Sequence, residues 1–306
     1  MALHRRTLLR TGFAGGIAAL AGCSNSLAGG SEGATFADWL YAPGTVADTD
    51  HYLSLRYEPA AIADRAGEFD GDVYDALRAF GSSARDTVGF RFAGTDVHLA
   101  FGKNSVLTAD FEASEVVSTL KDDEFVAGGS YGGFDQYLGP DENTAVGVGS
   151  DAVVVARSSG IFGSGVQAPR ILQAIADAHN GDTERYADAS ADFETLTGAL
   201  GDGALQSART HPETDETDTE DGEFAGEVAR GIDSTLTDEG IETTFALVFT
   251  DESAVDAVAV EDWVAANRNG GTFATFESVE VSTDGRTALV TGTEPTAEYD
   301  FYLRDF

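Results

Sequence analysis

The apolar positions of this chain switch repeatedly between the alternation of a strand and the three-to-four spacing of a helix. His51 to Tyr57 alternates with Tyr and Leu enrichment and predicts a strand. Pro59 suits a first helical position, and Ile62, Ala66, Phe69, Val73, Ala76, Leu77 and Phe80 continue at helical spacing, with Gly71 dividing the run in two. Thr87 to Phe92 and Val97 to Phe101 read as two strands joined by Gly94-Thr95-Asp96. The order then recurs. Val106 to Phe111 predicts a strand, and Glu112 to Phe125 a helix with Val116, Val117, Leu120 and Phe125 on one side. Strands follow at Val126 to Tyr137, Thr144 to Val148 and Ala152 to Ala156, the last two joined by Gly149-Ser150-Asp151.

Pro169 to Ala178 predicts a helix lined by Ile171, Leu172, Ile175 and Ala178 and stopped at Asn180-Gly181. Phe193, Leu196 and Leu200 suggest another, before a strand at Ala204 to Ala208. Pro212 to Glu223 holds seven acids in twelve positions and no sizeable apolar side chain, so it reads as a solvated loop or linker. Beyond it come strands at Phe224 to Ile232 and Thr243 to Phe249, then a helix at Ser253 to Asn267 with Val255, Val258, Ala259 and Trp263 as core contacts. Phe273 to Val281 and Thr287 to Thr291 form a hairpin across Thr283-Asp284-Gly285, and Asp300 to Phe306 is a last aromatic piece.

Three times, from His51, Val106 and Thr243, the chain reads strand, helix, strand, polar turn, strand. That order is half of a ferredoxin-like unit and predicts an α+β fold: two or three such units with antiparallel sheets and helices on one face. The organisation expected is a leader over 1–23, a tether over 24–35, an α+β domain of about two units over 36–210, the acidic segment 211–223, and a third unit over 224–306 completing the same domain or standing beside it.

The leader has its own logic. Arg5, Arg6 and Arg10 precede an apolar, Gly-rich run from Thr11 to Gly22, shorter than the roughly 20 residues of a spanning helix. The run ends at Cys23, the only cysteine of 306 residues, so no disulfide can form within the chain. An ordinary structural thiol needs a core to enter, and a leader offers none. Arg5-Arg6 with Leu8-Leu9-Arg10 resembles a twin-arginine export signal, and Leu20-Ala21-Gly22-Cys23 resembles a lipobox. The resemblance implies removal of the residues before Cys23 and lipid on its sulfur, and so a membrane as partner and an extracytoplasmic, lipid-anchored location. Ser24 to Gly33 then reads as a flexible tether.

Charge adds the solvent. After Cys23 the chain carries 53 acids against 15 basic residues, with Lys103 and Lys121 as its two lysines. Such a surface repels itself at ordinary salt, where the Debye length is roughly 8 Å, and is screened at molar salt, where it is roughly 3 Å. With 42% hydrophobic residues and 19 Phe, the chain has the core material that a disordered acidic segment lacks. Acid excess, scarce lysine and the twin-arginine lipobox leader together resemble exported lipoproteins of haloarchaea. The same charge argues against nucleic-acid binding, which needs basic surface.

Candidate chemistry is sparse. Gly128-Gly129-Ser130-Tyr131-Gly132 has the spacing of a nucleophile elbow, but that motif needs a strand before the serine and a helix after it, and here the predicted order is the reverse. His4, His51, His98, His179 and His211 share no metal-ligand spacing, and Asp48-x-Asp50 and Asp215-x-x-Asp218 lack the glycine and final Glu of a calcium loop. Neither lysine follows a phosphate-binding loop, so no cofactor is expected. Trp39, Tyr41, Tyr52, Tyr57, Tyr131 and Tyr137 fit a ligand groove, and fit core packing better. The reading that follows is a non-enzymatic surface lipoprotein that binds or interacts. The alternative is an extracytoplasmic hydrolase whose residues converge from distant segments, recognised by a base hydrogen-bonded to a nucleophile in a concave site. A solute receptor, with two lobes of parallel βαβ units, does not match the element order.

Overall fold

The structure is a computed structural model that describes residues 36–46, 50–158 and 165–299. The leader with Arg5, Arg6 and Cys23, the tether 24–35, Asp48 and the last piece 300–306 lie outside the described residues. Residues Ala34–Phe306 group as one compact unit. All of its core clusters are built from its own side chains.

The fold is α+β, with helices packed on a wholly antiparallel sheet. The first part of the chain runs β1 (Ser54–Tyr57), α1 (Pro59–Asp64), α2 (Gly71–Ala79), α3 (Ser82–Val88), β2 (Val97–Phe101), β3 (Asn104–Thr108) and α4 (Ala113–Asp122). The meander β4 (Val126–Tyr131), β5 (Phe134–Leu138), β6 (Thr144–Val148) and β7 (Val153–Arg157) follows, then α5 (Ala168–Asn180), α6 (Tyr186–Ala189) and α7 (Ala191–Ala199). The last part is β8 (Leu205–Thr210), β9 (Glu227–Thr237), β10 (Gly240–Phe249), α8 (Ala257–Ala266), β11 (Ser278–Asp284) and β12 (Thr287–Glu294). Twelve strands make one sheet in the order β11-β12-β10-β9-β8-β1-β2-β3-β7-β6-β5-β4.

Strand alternation decides the layers. On β7, Val153 and Val155 face the cluster holding α3 and α4, whereas Val154 and Ala156 face the one holding α5. Both faces of the central strands are therefore apolar, and both are covered. Helices α1, α2 and α8 lie over Tyr57, Leu205, Ile232 and Phe245, and α3 and α4 continue that layer over Leu107 and Val155. Helices α5 and α7 cover the opposite face, over Leu99, Val106, Ala208 and Val248. The expectation of helices on one face is corrected: the runs in β3, β6 and β7 are apolar at consecutive positions, the pattern of a strand buried on both sides. Helix α5 shows the cause locally. Ile171, Leu172 and Ile175 are at most 2% exposed, each contributing about 1.5–3 kcal/mol of burial, and Gly181 at φ +75° ends the helix.

Three element expectations change. Thr87 to Phe92 is not a strand; α3 ends at Val88, capped by Gly89 in the left-handed region, and a short 3-10 turn follows. Ala84, Arg85 and Val88 are buried at helical spacing, and this inward stripe outweighs the β-branched run beside it. Val126 to Tyr137 is two strands, turned at Gly132 and Gly133, both at positive φ. Val258 is 64% exposed, because α8 turns Ala259, Val260 and Trp263 inward.

The repeat read from the sequence is uneven. From β10, the chain crosses by α8 to β11 at the sheet edge and returns as β12 between them. From β3, it crosses by α4 to the other edge at β4 and returns through three strands to β7. After β1, the chain comes back directly into its neighbour β2. Residues 211–226 join β8 to its neighbour β9, so the acidic run is a loop of the same sheet. Gly222, at φ +72°, packs against the Trp263 indole where a Cβ would come within 2.6 Å, Arg230 donates to its carbonyl at 2.8 Å, and Asn267 donates to the Glu220 carbonyl at 3.2 Å.

Candidate functional site

The four histidines after Cys23 each have partners of their own. His51 precedes β1 and meets Thr210 Oγ1 at 2.7 Å. His179, near the end of α5, stacks on Trp39 with ring centres 3.6 Å apart. His211 lies 3.2 Å from Glu227 Oε1. Among the described residues no three His, Cys, Asp or Glu side chains group as a metal site. Asp218 instead caps its own loop, accepting from the Glu220 and Asp221 amides.

Ser130 lies on the exposed strand β4, donating to Asp135 Oδ1 at 2.6 Å. The chain after it turns into β5 rather than a helix, so the elbow geometry is absent. The aromatic set divides too. Tyr52 donates to the Tyr41 carbonyl at 2.5 Å, and both rings pack with Phe101 in the α5-side core. Burial pushes the Tyr41 hydroxyl up to about 12. Tyr137 packs beside α4. Tyr131 alone among the six is exposed.

The residues with the most chemistry are four that the sequence does not connect. His98 on β2, fully buried, has Nε2 3.0 Å from Ser105 Oγ on β3. Its Nδ1 lies 2.8 Å from the Tyr57 hydroxyl on β1 and 3.3 Å from Arg85 Nη1 on α3. A base beside a serine is the arrangement that would mark a hydrolase. Nδ1 faces a guanidinium, which donates and never accepts, and a tyrosine hydroxyl whose own proton goes to the Phe80 carbonyl. The ring therefore meets a cation where a catalytic base would meet an orienting carboxylate. Among the described residues no carboxylate orients the ring; burial first, and the Arg85 charge second, lower the His98 pKa to about 3. At neutral pH this histidine is a neutral hydrogen-bonding strut.

Its role is mechanical. Arg85, 2% exposed, donates to the carbonyls of Phe80 and Arg78 at 2.9 and 2.5 Å and to the Tyr57 hydroxyl. The Tyr57 hydroxyl also donates to Phe80 O at 2.7 Å. These bonds pin the corner between α2 and α3 to the sheet and satisfy carbonyls that the end of α2 leaves open. Gly81, at φ +64°, lets the corner approach: a Cβ there would lie 2.4 Å from the imidazole.

Two further buried clusters are likewise closed. Glu227, fully buried, takes both Nε and Nη2 of Arg230 at 2.6 Å. Asp233 accepts from Gly203 N and Gln206 Nε2 at 2.8 and 2.7 Å, and burial raises its pKa. No helix among the described residues is long and apolar enough to cross a membrane.

No protein family and no curated protein matches this chain. Among solved structures, crystal form I of TP0453 is similar over 87% of this chain and 96% of that one, with 10% identity and a TM-score of 0.49. Crystal form III of TP0453 covers the same shares at 9% identity and a TM-score of 0.48.

Proposed function

We propose that this chain is a lipid-anchored protein of the extracytoplasmic membrane face, working in high salt as a non-enzymatic binding or interaction module of an archaeal envelope. The leader carries this reading: Arg5-Arg6, a short apolar run, and Leu20-Ala21-Gly22-Cys23 ahead of a polar tether. The acid excess supports the salt, and the closed His98 cluster supports a role without catalysis. In the same reading, β10, α8, β11 and β12 make half of a ferredoxin-like unit. The test is Cys23→Ser expressed in a halophilic host. The expected outcome is protein released into the medium or retained as uncleaved precursor. Unchanged mass and membrane association in that variant would refute the anchor.

A further inference from the structure

The two edges of the twelve-stranded sheet are built differently. Edge strand β11 carries Glu280 and Asp284, the charged guard expected of a strand that must not pair. Edge strand β4, Val-Ala-Gly-Gly-Ser-Tyr, carries no charge in a chain of net charge −35, and all six of its residues are exposed. Only three large apolar side chains are exposed among the described residues, and two of them, Val126 (61%) and Tyr131 (38%), stand at the two ends of this strand.

Five residues apart, Val126 and Tyr131 would point to opposite faces of a regular strand. A bulge changes that. The register against β5 shifts between Ala127 and Gly129, so Gly128 is an extra residue. Val126 then pairs with Leu138 and Tyr131 with Phe134, both of which face the α5-side core. The bulge therefore sets the two exposed apolar residues on one face, with Ala127 and Ser130, opposite Tyr137 and Asp135, on the other.

This pattern complements itself. We propose that β4 pairs antiparallel with β4 of a second copy, about a twofold axis at Gly128 and Gly129. In that register Val126 meets Tyr131 of the other copy on one face, twice, and Ala127 meets Ser130 on the other. The strand itself is uncharged, but Asp135 beside Ser130 and Asp177 and Asp182 beside the Tyr131 hydroxyl border it. Asp122, Asp123 and Glu124 lie just outside the strand, so association strengthens with salt.

The unit Ala34–Phe306, whose core is its own, is measured by sedimentation equilibrium in molar KCl. The expected mass is twice that of one chain, falling toward one chain as salt is lowered through the range in which circular dichroism still shows folded protein. Val126→Glu breaks two contacts per dimer, and about tenfold for each weakens association about a hundredfold. Val126→Lys with Tyr131→Glu places opposite charges face to face and restores the dimer, and Val258→Glu, at the third exposed apolar position, leaves it intact. A domain that is monomeric at every soluble concentration in molar salt overturns the proposal. So does a dimer indifferent to Val126→Glu, or a folded double variant that stays monomeric.

Discussion

The His98 strut makes a quantitative prediction about acid. In the folded chain its pKa is lowered to about 3, against an unfolded value of 6.5. As pH falls below 6.5 the unfolded chain takes up the proton first and the folded chain does not. Stability is therefore fully present above that pH and lost as pH falls toward 3. At 1.36 kcal/mol per unit, the loss attributable to this group is about 3 kcal/mol at pH 4.5 and about 4 kcal/mol by pH 3. Total stability of a domain is only about 5–15 kcal/mol, so the effect is large. The many carboxylates titrate in the same range, and a comparison protein cancels them. His98→Gln is neutral at every pH and, like the neutral imidazole, offers one accepting and one donating group. Urea unfolding in molar KCl, followed by the near-ultraviolet signal of the buried Trp39 and Trp263, gives stability for both proteins from pH 7 to 4. The wild type is expected to lose about 3 kcal/mol relative to the variant between pH 7 and 4.5. Parallel curves would refute the buried neutral imidazole.

Replacing Arg5-Arg6 by Lys-Lys is expected to hold the precursor inside the cell, seen by fractionation; normal surface display would remove the twin-arginine route. Dialysis of the domain from molar KCl into 50 mM salt is expected to loosen its antiparallel sheet, because the acid repulsion is no longer screened; an unchanged near-ultraviolet spectrum and melting temperature would contradict this. Glu227→Ala leaves the part-buried Arg230 guanidinium without its carboxylate and directly across from Arg209. It should cost about 3–5 kcal/mol in urea unfolding, and a loss under 1 kcal/mol would show that the pair is already solvated.

Local pattern carried much of the fold. The helix of Ile171, Leu172 and Ile175, the tight turn at Gly149 to Asp151 and the strands around them are visible because burial on one side leaves a period in the sequence. Thr87 to Phe92 misleads for a physical reason: its β-branched and aromatic residues favour a strand, while the buried Ala84, Arg85 and Val88 that make the helix include a charged residue, which no hydrophobic period counts. Arg85 is tolerated inside only because the Phe80 and Arg78 carbonyls, Tyr57 and His98 surround it, and those lie on other elements.

The sequence alone carries what is local or compositional: the short apolar run that stops at Cys23, the acid excess that repels itself, the α+β alternation and the turns placed by glycine. Only tertiary structure decided what those segments become when distant strands meet. The three stretches that read alike take different places in the sheet, one at each edge and one in the middle, and no spacing records that. The acidic run became a loop held on Trp263 and Arg230 because β8 and β9 are neighbours in the sheet. His98 and Ser105, seven residues apart, have the look of a base and its nucleophile. Arg85 and Tyr57, brought from a helix and another strand, set a cation against the imidazole where a catalytic base would have a carboxylate, and burial holds the ring neutral.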